Sequence, residues 1–490
     1  MTFPRLTFPR LWVALAILLP ILAALLATLS TVDLAYHVRA GQLMLDQGSV
    51  LRTDPFAFTT GGAAWLDQQW AAQILLALGY RAGGWSGLAI LRAVLAAVIV
   101  GLVLIACRRQ GVGLRVAAWL TIGSIILAPA AMGLRPQVFG MALFAATLAI
   151  LAGRARQPRV VWLIPLLVIP WASLHGSFIF APVAVGVAWL EDTLVGRPGA
   201  HRLLAVAIAT GLASLLNPFG IGVWSYAIGL TTNPTIRRLS SEWQPTALLS
   251  ASGLLLYGSM LIFGAVIVVR GRGGSWRQVG PALLWLVFLG GVAASAERGI
   301  AWWALAAPVA VAGIIGRPGP AEVSPADLPA VALKPARPER ASALNGLIVI
   351  VLILVGIALL PIWRGGSALE GPAGLLTEAP QGITGALAGK VGPSDRIWSA
   401  QAWGSWLEFA LPGVPIAVDS RIEVIPVSAW NDHLALSGGA PNWQSILDRW
   451  SVTVVVASRT EQAALIPLIQ ASPAWTVLYQ DADGVIFVRR

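Results

Sequence analysis

Long apolar runs, followed by arginines at every second boundary, govern what this chain can fold into. They fall near Leu11–Ser30, Trp85–Cys107, Leu114–Gly133, Val138–Ala152, Val160–Leu174, Phe178–Leu190, Leu203–Leu216, Ala247–Val269, Pro281–Ala294, Ile300–Ile315 and Leu344–Ile362. A helix needs about 20 apolar residues to cross the hydrocarbon core of a bilayer. Backbone polar groups are satisfied there only inside helices or closed barrels. The runs predict a polytopic α-helical membrane protein with about 11 transmembrane helices, and Trp70–Tyr80 is a candidate for a further short span.

The arginines set the direction of threading. With the N-terminus and its Arg5 and Arg10 inside, the inner loops hold Arg108, Arg109 and Arg115, then Arg154, Arg156 and Arg159, then Arg197 and Arg202, then Arg270, Arg272 and Arg277. The Pro-rich linker 316–342 adds Arg317, Lys334, Arg337 and Arg340. The opposite loops carry few cations. This is the positive-inside pattern, and an odd number of spans puts residues 363–490 outside the membrane. The first apolar run is longer than the core of a signal peptide, so it is read as an uncleaved span.

Composition agrees with a membrane solvent. Only 11% of the 490 residues are charged, against about 25% in soluble domains. The net charge of +11 sits in short inner loops. No basic face with interleaved aromatics forms, so nucleic acid is not expected as a partner. The lone cysteine, Cys107, excludes an internal disulfide. Spacings of the CxxC or HExxH kind are absent, so no cofactor is expected and a divalent metal finds no supporting motif.

Polar residues gather on the other side. The outer loops receive Asp33, His37, Asp54, Asp67, Arg135, Gln137, His175, Asn217, Glu242, Glu297 and Arg298. Such a one-sided supply suits a site at the membrane surface, although helix caps and ordinary loop residues would read the same way. Two outer loops are long, 31–69 and 217–245. The first contains an amphipathic stretch, Ala35–Asp46, of the kind that lies along an interface.

After the last run the composition changes. Ile397–Ser399, Val414–Asp419, Val452–Ala457, Trp475–Tyr479 and Gly484–Arg489 read as buried strands. Helical patterns at Gln401–Ala410, Asn442–Trp450 and Glu461–Ala471 fall between them. Alternating strands and helices predict an α/β domain. The chain therefore divides into a transmembrane part, 1–362, and an extracytoplasmic α/β domain, 363–490.

Several short motifs occur in a fixed order. Asp33-Leu-Ala-Tyr-His37-Val-Arg-Ala-Gly41 directly follows the first span, then come Arg52-Thr-Asp-Pro-Phe56 and Trp65-Leu-Asp-Gln-Gln-Trp70. Arg135-Pro-Gln137, Trp171-x-x-x-His175-Gly176, Asn217-Pro-Phe-Gly220, Ser241-Glu-Trp-Gln244 and Asp419-Ser-Arg421 continue the series. Together they resemble a group of uncharacterised bacterial membrane proteins that look like GT-C glycosyltransferases. The resemblance implies extracytoplasmic transfer from a polyprenyl-phosphate sugar to a glycan, lipid or protein acceptor, in the bacterial inner membrane. It also implies a catalytic aspartate in the first outer loop, where Asp33 sits. The sequence departs from the group at Ala35-Tyr36, Gln68-Gln69 and Ser173, and these departures motivate a second reading, a non-enzymatic membrane subunit or assembly factor.

The chemistry follows from the residue types. An acceptor hydroxyl is a poor nucleophile until a positioned base takes its proton. Asp33 is the expected base, with capping of the helix that starts near Leu34 as its structural alternative. His37, one turn on, would orient it, bind phosphate or be an ordinary interfacial histidine. Asp54 is a second candidate carboxylate, or the turn that an Asp-Pro pair favours. Arg135, Gln137 and His175 would hold the donor phosphate, or Arg135 would pair with Glu242 or Glu297. Asn217, Glu242, Arg298, Asp419 and Arg421 complete the outer-face candidates, the last two being equally suited to fixing the tail's orientation. A transporter is the third class, but no inverted repeat with paired broken helices is evident.

Overall fold

The computed structural model describes residues 4–271, 276–316, 340–367 and 369–490. Most of the linker read as cytoplasmic, residues 317–339, lies outside the described residues. Two compact units emerge. One comprises 1–27, 89–227 and 240–363, and the other 28–88, 228–239 and 364–490. The first outer loop thus belongs with the tail, not with the helices that flank it in sequence.

The first unit is helical. Each apolar run forms a helix, but among the described residues five helices are long and apolar enough to cross a membrane: Phe8–Leu26, Trp70–Arg109, Gly176–Leu194, Ala251–Arg270 and Glu297–Ile315. Six more are apolar but shorter: Leu114–Leu127, Pro136–Ala152, Val160–Leu174, Ala200–Ala213, Val279–Ser295 and Ala343–Ala358. The 40-residue helix Trp70–Arg109 breaks at Gly83 (φ −160°, ψ 21°) and Gly84 (φ 57°, ψ −148°). Only glycine adopts the second of these readily, which is why the Trp70–Tyr80 stretch and the Trp85–Cys107 run are separate in sequence. The segment Ile300–Ala312 is buried along its whole length and centres the bundle, with Trp302 and Trp303 against Phe144 and Phe263.

The second unit has two sheets. In the small one, β1 (Leu29–Ser30) runs parallel to β2 (Leu376–Thr377). The larger is four-stranded and mixed: β3 (Ile397–Ser399) pairs in parallel with β4 (Val454–Ser458). The antiparallel pair β5 (Trp475–Gln480) and β6 (Gly484–Arg489) completes it, in the order β3-β4-β6-β5. All five residues of β4 are buried, as a strand covered on both faces requires. The helices Gln401–Ala410, Trp443–Arg449 and Leu465–Gln470 stand where apolar periodicity predicts them.

One expected strand is corrected. Val414–Asp419 is an extended segment that bridges at Ile416 alone. Pro415 has no N–H to donate, yet its carbonyl accepts from Ile397 N at 3.0 Å. On its other side Ile416 N donates to Phe56 O at 3.2 Å and Phe58 N donates to Ile416 O at 3.0 Å. The first outer loop thereby extends the tail's sheet beyond β3.

Candidate functional site

Asp33 lies in the first turn of the helix Thr31–Gln47, whose N-cap is Ser30. It is therefore the third helical residue and not the cap. The partial positive charge of a helix N-terminus favours a carboxylate there. The start of this helix is anchored to the tail: Thr31 Oγ1 donates to Thr377 O at 2.9 Å and Glu378 O at 2.8 Å. Glu378 itself has φ +56°, a conformation uncommon outside glycine and worth attention near a site. Asp33 is half-buried; His37, one turn on, is buried with its ring 4.0 Å from that of Tyr36. At Gly41 a Cβ would lie 2.1 Å from Gln73 O, so the third member of the Asp-x-x-x-His-x-x-x-Gly motif is a close-packing position.

Asp54 and the Asp419–Arg421 motif have a different place from the one their spacing suggests. They form one buried cluster. Arg421 Nη1 donates to Asp54 Oδ1 at 2.7 Å, and the side chains of Arg421, Asp54 and Asp419 are 1%, 0% and 0% exposed. Asp54 also accepts from Phe56 N at 3.1 Å, Ala57 N at 3.2 Å and Thr60 Oγ1 at 2.8 Å. Its oxygens are committed, so it holds the loop and is not a second catalytic carboxylate. Asp419 accepts from Arg421 Nε at 2.9 Å and Arg421 N at 2.6 Å. The guanidinium stacks over Trp65, Phe56 and Tyr36 at 4.7, 5.0 and 5.5 Å. Asp419 and Arg421 are therefore buried within the second unit and paired with the first outer loop.

Glu408 completes this cluster, and the motif reading missed it. It is fully buried, 3.9 Å from Arg421 Nη2. Burial, then the neighbouring Asp419, push its pKa well above the usual carboxylate range. Burial alone would also raise Asp419, but Arg421 beside it holds that carboxyl below its ordinary value. Neighbouring carboxylates split in this way, Glu408 neutral and Asp419 charged. A signal was available: Glu408 interrupts the apolar face of the Gln401–Ala410 helix. Asp67, in the Trp65–Trp70 motif, is buried as well; its pKa is pushed up to about 8, by burial first.

The first unit holds the remaining candidates, at one end of its bundle. Arg135 is the N-cap of the helix Pro136–Ala152. Its Nη1 is 2.6 Å from Glu242 Oε1, and Arg298 Nε is 3.7 Å from Glu242 Oε2. Arg298 also covers the Trp243 ring at 4.8 Å, while Glu297 accepts from Ser252 Oγ at 2.5 Å. The two guanidiniums share the one Glu242 carboxylate, and all three side chains are 28–40% exposed.

His175 Nδ1 accepts from Ser177 N at 3.1 Å and lies 2.8 Å from Ser177 Oγ, which accepts from Trp171 Nε1 at 3.0 Å. An accepting Nδ1 puts the proton of the neutral ring on Nε2. Gly140, three residues beyond the buried Gln137, admits this group: a Cβ there would be 2.5 Å from Ser177 Oγ and 3.4 Å from His175 Cβ. Asn217 is occupied locally. Its amide donates to Ser214 O at 2.7 Å and Gly220 O at 3.2 Å, and its carbonyl accepts from Phe219 N at 2.8 Å. Among the described residues no group of three or more His, Cys, Asp or Glu side chains is arranged to hold a metal.

No family model matches the sequence, and no curated protein matches it. Solved structures do resemble it. Over 99% of this chain and 75% of the other, the fold superposes on the archaeal oligosaccharyltransferase AglB from Archaeoglobus fulgidus, in complex with an inhibitory peptide and a dolichol-phosphate (TM-score 0.57, 12% identity). The Archaeoglobus fulgidus oligosaccharyltransferase tethered with an acceptor peptide containing the NVT sequon matches over 98% and 74% (TM-score 0.56, 13% identity). ArnT from Cupriavidus metallidurans bound to undecaprenyl phosphate matches over 98% and 97% (TM-score 0.48, 15% identity). At these identities the likeness is one of fold.

Proposed function

We propose that this chain is a membrane glycosyltransferase that moves a sugar from a polyprenyl-phosphate donor to an extracytoplasmic acceptor. The observation that carries the reading is the fold likeness to an oligosaccharyltransferase along 99% of the chain. Asp33 is the general base: it takes the proton of the acceptor nucleophile as that atom attacks the anomeric carbon and the lipid phosphate leaves with the bonding pair. Attack opposite the leaving group inverts the anomeric centre. Arg135 and His175 hold the phosphate, the first as a charged fork and the second through its Nε2–H, and Gln137 supports them. The chain crosses the bacterial inner membrane eleven times, with residues 363–490 outside.

The test uses the full chain in detergent with a radiolabelled polyprenyl-phosphate sugar. General base catalysis is typically worth about 10²- to 10⁴-fold, so Asp33→Asn should lose that much turnover while still binding the lipid. Turnover within a few-fold of wild type would refute the base. Arg135→Ala and His175→Ala should weaken lipid-phosphate binding, and unchanged affinity in both would remove them from the donor site. The buried Gln68, one of the departures from the resembled motif, favours a second reading as a non-catalytic subunit. Wild type that binds the lipid but transfers from no donor, with or without Asp33, would select it.

A further inference from the structure

The first unit contains an open cavity of about 930 Å³ at the opposite end from Arg135 and His175. Seventeen residues of helix separate the two ends along Pro136–Ala152, or about 26 Å, close to the thickness of a bilayer core. The cavity opens among the ends of the helices that finish at Arg109, Ala152, Leu194 and Ile315 and the one that begins at Ala200.

Its lining is unusual in charge. Five arginines contribute (109, 154, 156, 197 and 202) against two carboxylates, Glu191 and Asp192, a balance of +5 − 2 = +3. The carboxylates are already taken. Arg154 Nη2 is 2.6 Å from Glu191 Oε2 and 2.8 Å from Asp192 Oδ1, and Arg197 Nη1 is 3.0 Å from Asp192 Oδ1. Among the described residues no carboxylate pairs with Arg109, Arg156 or Arg202. Arg109 donates to Ala149 O at 2.6 Å and Arg156 to Arg109 O at 3.2 Å, contacts that position the guanidiniums without neutralising them. Deeper in, the wall is apolar: Leu148, Leu151, Val309, Ala310 and Trp285. The positive-inside bias accounts for arginines at this end. It does not account for a void walled by them on one side and by aliphatic side chains on the other.

We propose that this cavity is a binding site for an anionic lipid, with the phosphate ester on Arg109, Arg156 and Arg202 and the first part of an acyl or prenyl chain along the Leu148, Leu151, Val309 and Ala310 wall. Guanidinium forks match phosphate oxygens in pairs. The volume lies near the top of the roughly 300–1,000 Å³ range of ligand pockets, more than a phosphate alone would fill. Basic pockets between membrane helices take anionic head groups in this way. The site is separate from the transfer reaction proposed above, and its test does not depend on that reaction.

Native mass spectrometry of the full chain in detergent reads the lipid directly. Phosphatidic acid should be retained in preference to phosphatidylcholine with the same chains. Each basic residue near an anionic lipid is worth about five-fold in affinity, so Arg156→Gln/Arg202→Gln should lose on the order of 25-fold. Ala310→Leu, which grows into the void, should weaken the long-chain lipid more than its short-chain homologue. Equal retention of the two head groups, or an unchanged affinity in the double variant, would overturn the site. Equal loss of long and short chains in Ala310→Leu would overturn the wall assignment. Displacement of the lipid by an equal concentration of inorganic phosphate would overturn the lipid as its occupant.

Discussion

Asp67 should make the second unit less stable as the pH rises through neutrality. Its side chain is buried; Oδ1 accepts from Gln73 Nε2 at 2.9 Å, and Oδ2 has no hydrogen-bond partner. Burial, only partly opposed by the charge of Arg421, lifts its pKa from 3.8 in the unfolded reference to about 8 in the fold. Between those values the folded chain keeps a proton that the unfolded chain has released. Stability therefore falls with pH, by about 1.4 kcal/mol per unit, until the folded group itself ionises near pH 8. From about pH 6 to about pH 8 the loss comes to roughly 2 kcal/mol, allowing for half-ionisation at the upper end. Asp67→Asn keeps the size and the oxygen that Gln73 needs but cannot titrate. Pulse proteolysis of the full chain in detergent, wild type against Asp67→Asn at each pH, reads the difference and cancels other titrations. One of these is buried His433, whose pKa is pushed down to about 4; its stabilisation grows as pH rises from there toward the ordinary histidine value, so its sign is opposite. The Asn variant should gain on wild type by those roughly 2 kcal/mol across the window. A constant gap between the two proteins from acid to alkaline pH would refute the reasoning.

The other expectations rest on the same unit. Asp54→Asn leaves the buried Arg421 short of one counter-charge and should cost about 3–5 kcal/mol, with faster amide exchange at Phe56 and Ala57, whose N–H groups donate to Asp54; a cost below about 1 kcal/mol would show the pair to be solvated. Arg421→Met takes the cation from Asp54 and Asp419 at once, so it should be worse than Asp54→Asn at neutral pH and should recover on acidification as Asp419, no longer held low by Arg421, takes up a proton. A deficit that is the same at every pH would contradict the electrostatic account. Gly404→Ala puts a Cβ 2.1 Å from Val418 O, a backbone atom with nowhere to go, and should cost at least the roughly 1–3 kcal/mol of core overpacking; a thermal midpoint equal to wild type would show that the helix can retreat.

Much of the scaffold was legible because its signals are local. Apolar length marked the apolar helices, five of them long enough to cross a membrane among the described residues, and periodicity marked the Gln401–Ala410 helix and strands β4 to β6. Val414–Asp419 misled because its partner strand is Phe56–Phe58, in the first outer loop, and nothing near Pro415 announces that pairing. The same distance hid the role of Asp54: Asp-Pro was readable as a turn, and the turn exists, but the arginine that completes it is 367 residues away. Asp419 and Arg421 read either as site residues or as a pair that fixes the tail's orientation, and only the fold shows them buried beside Asp54. The Arg135–Glu242 contact was open as an alternative on charge alone; that Arg298 shares the same carboxylate depends on how three separate turns converge, which spacing does not encode.

The pairing of Asp54 with Arg421 also constrains how the molecule is made. Ribosomes add roughly 5–20 residues per second, so the 367 residues between the partners take about 20–70 s to emerge. Through that interval residues 28–88 lack the segment that buries Phe56 and Trp65, and Asp54 waits for its cation. Every later apolar helix must be inserted before the contact can close, which makes this one of the most non-local steps the chain contains and, by the usual relation between sequence separation and speed, a late one. A nascent chain halted before residue 364 would leave those aromatic side chains open to proteases and holdases. Release of the tail would then act as the commitment step of maturation, after which the early loop is withdrawn from quality control.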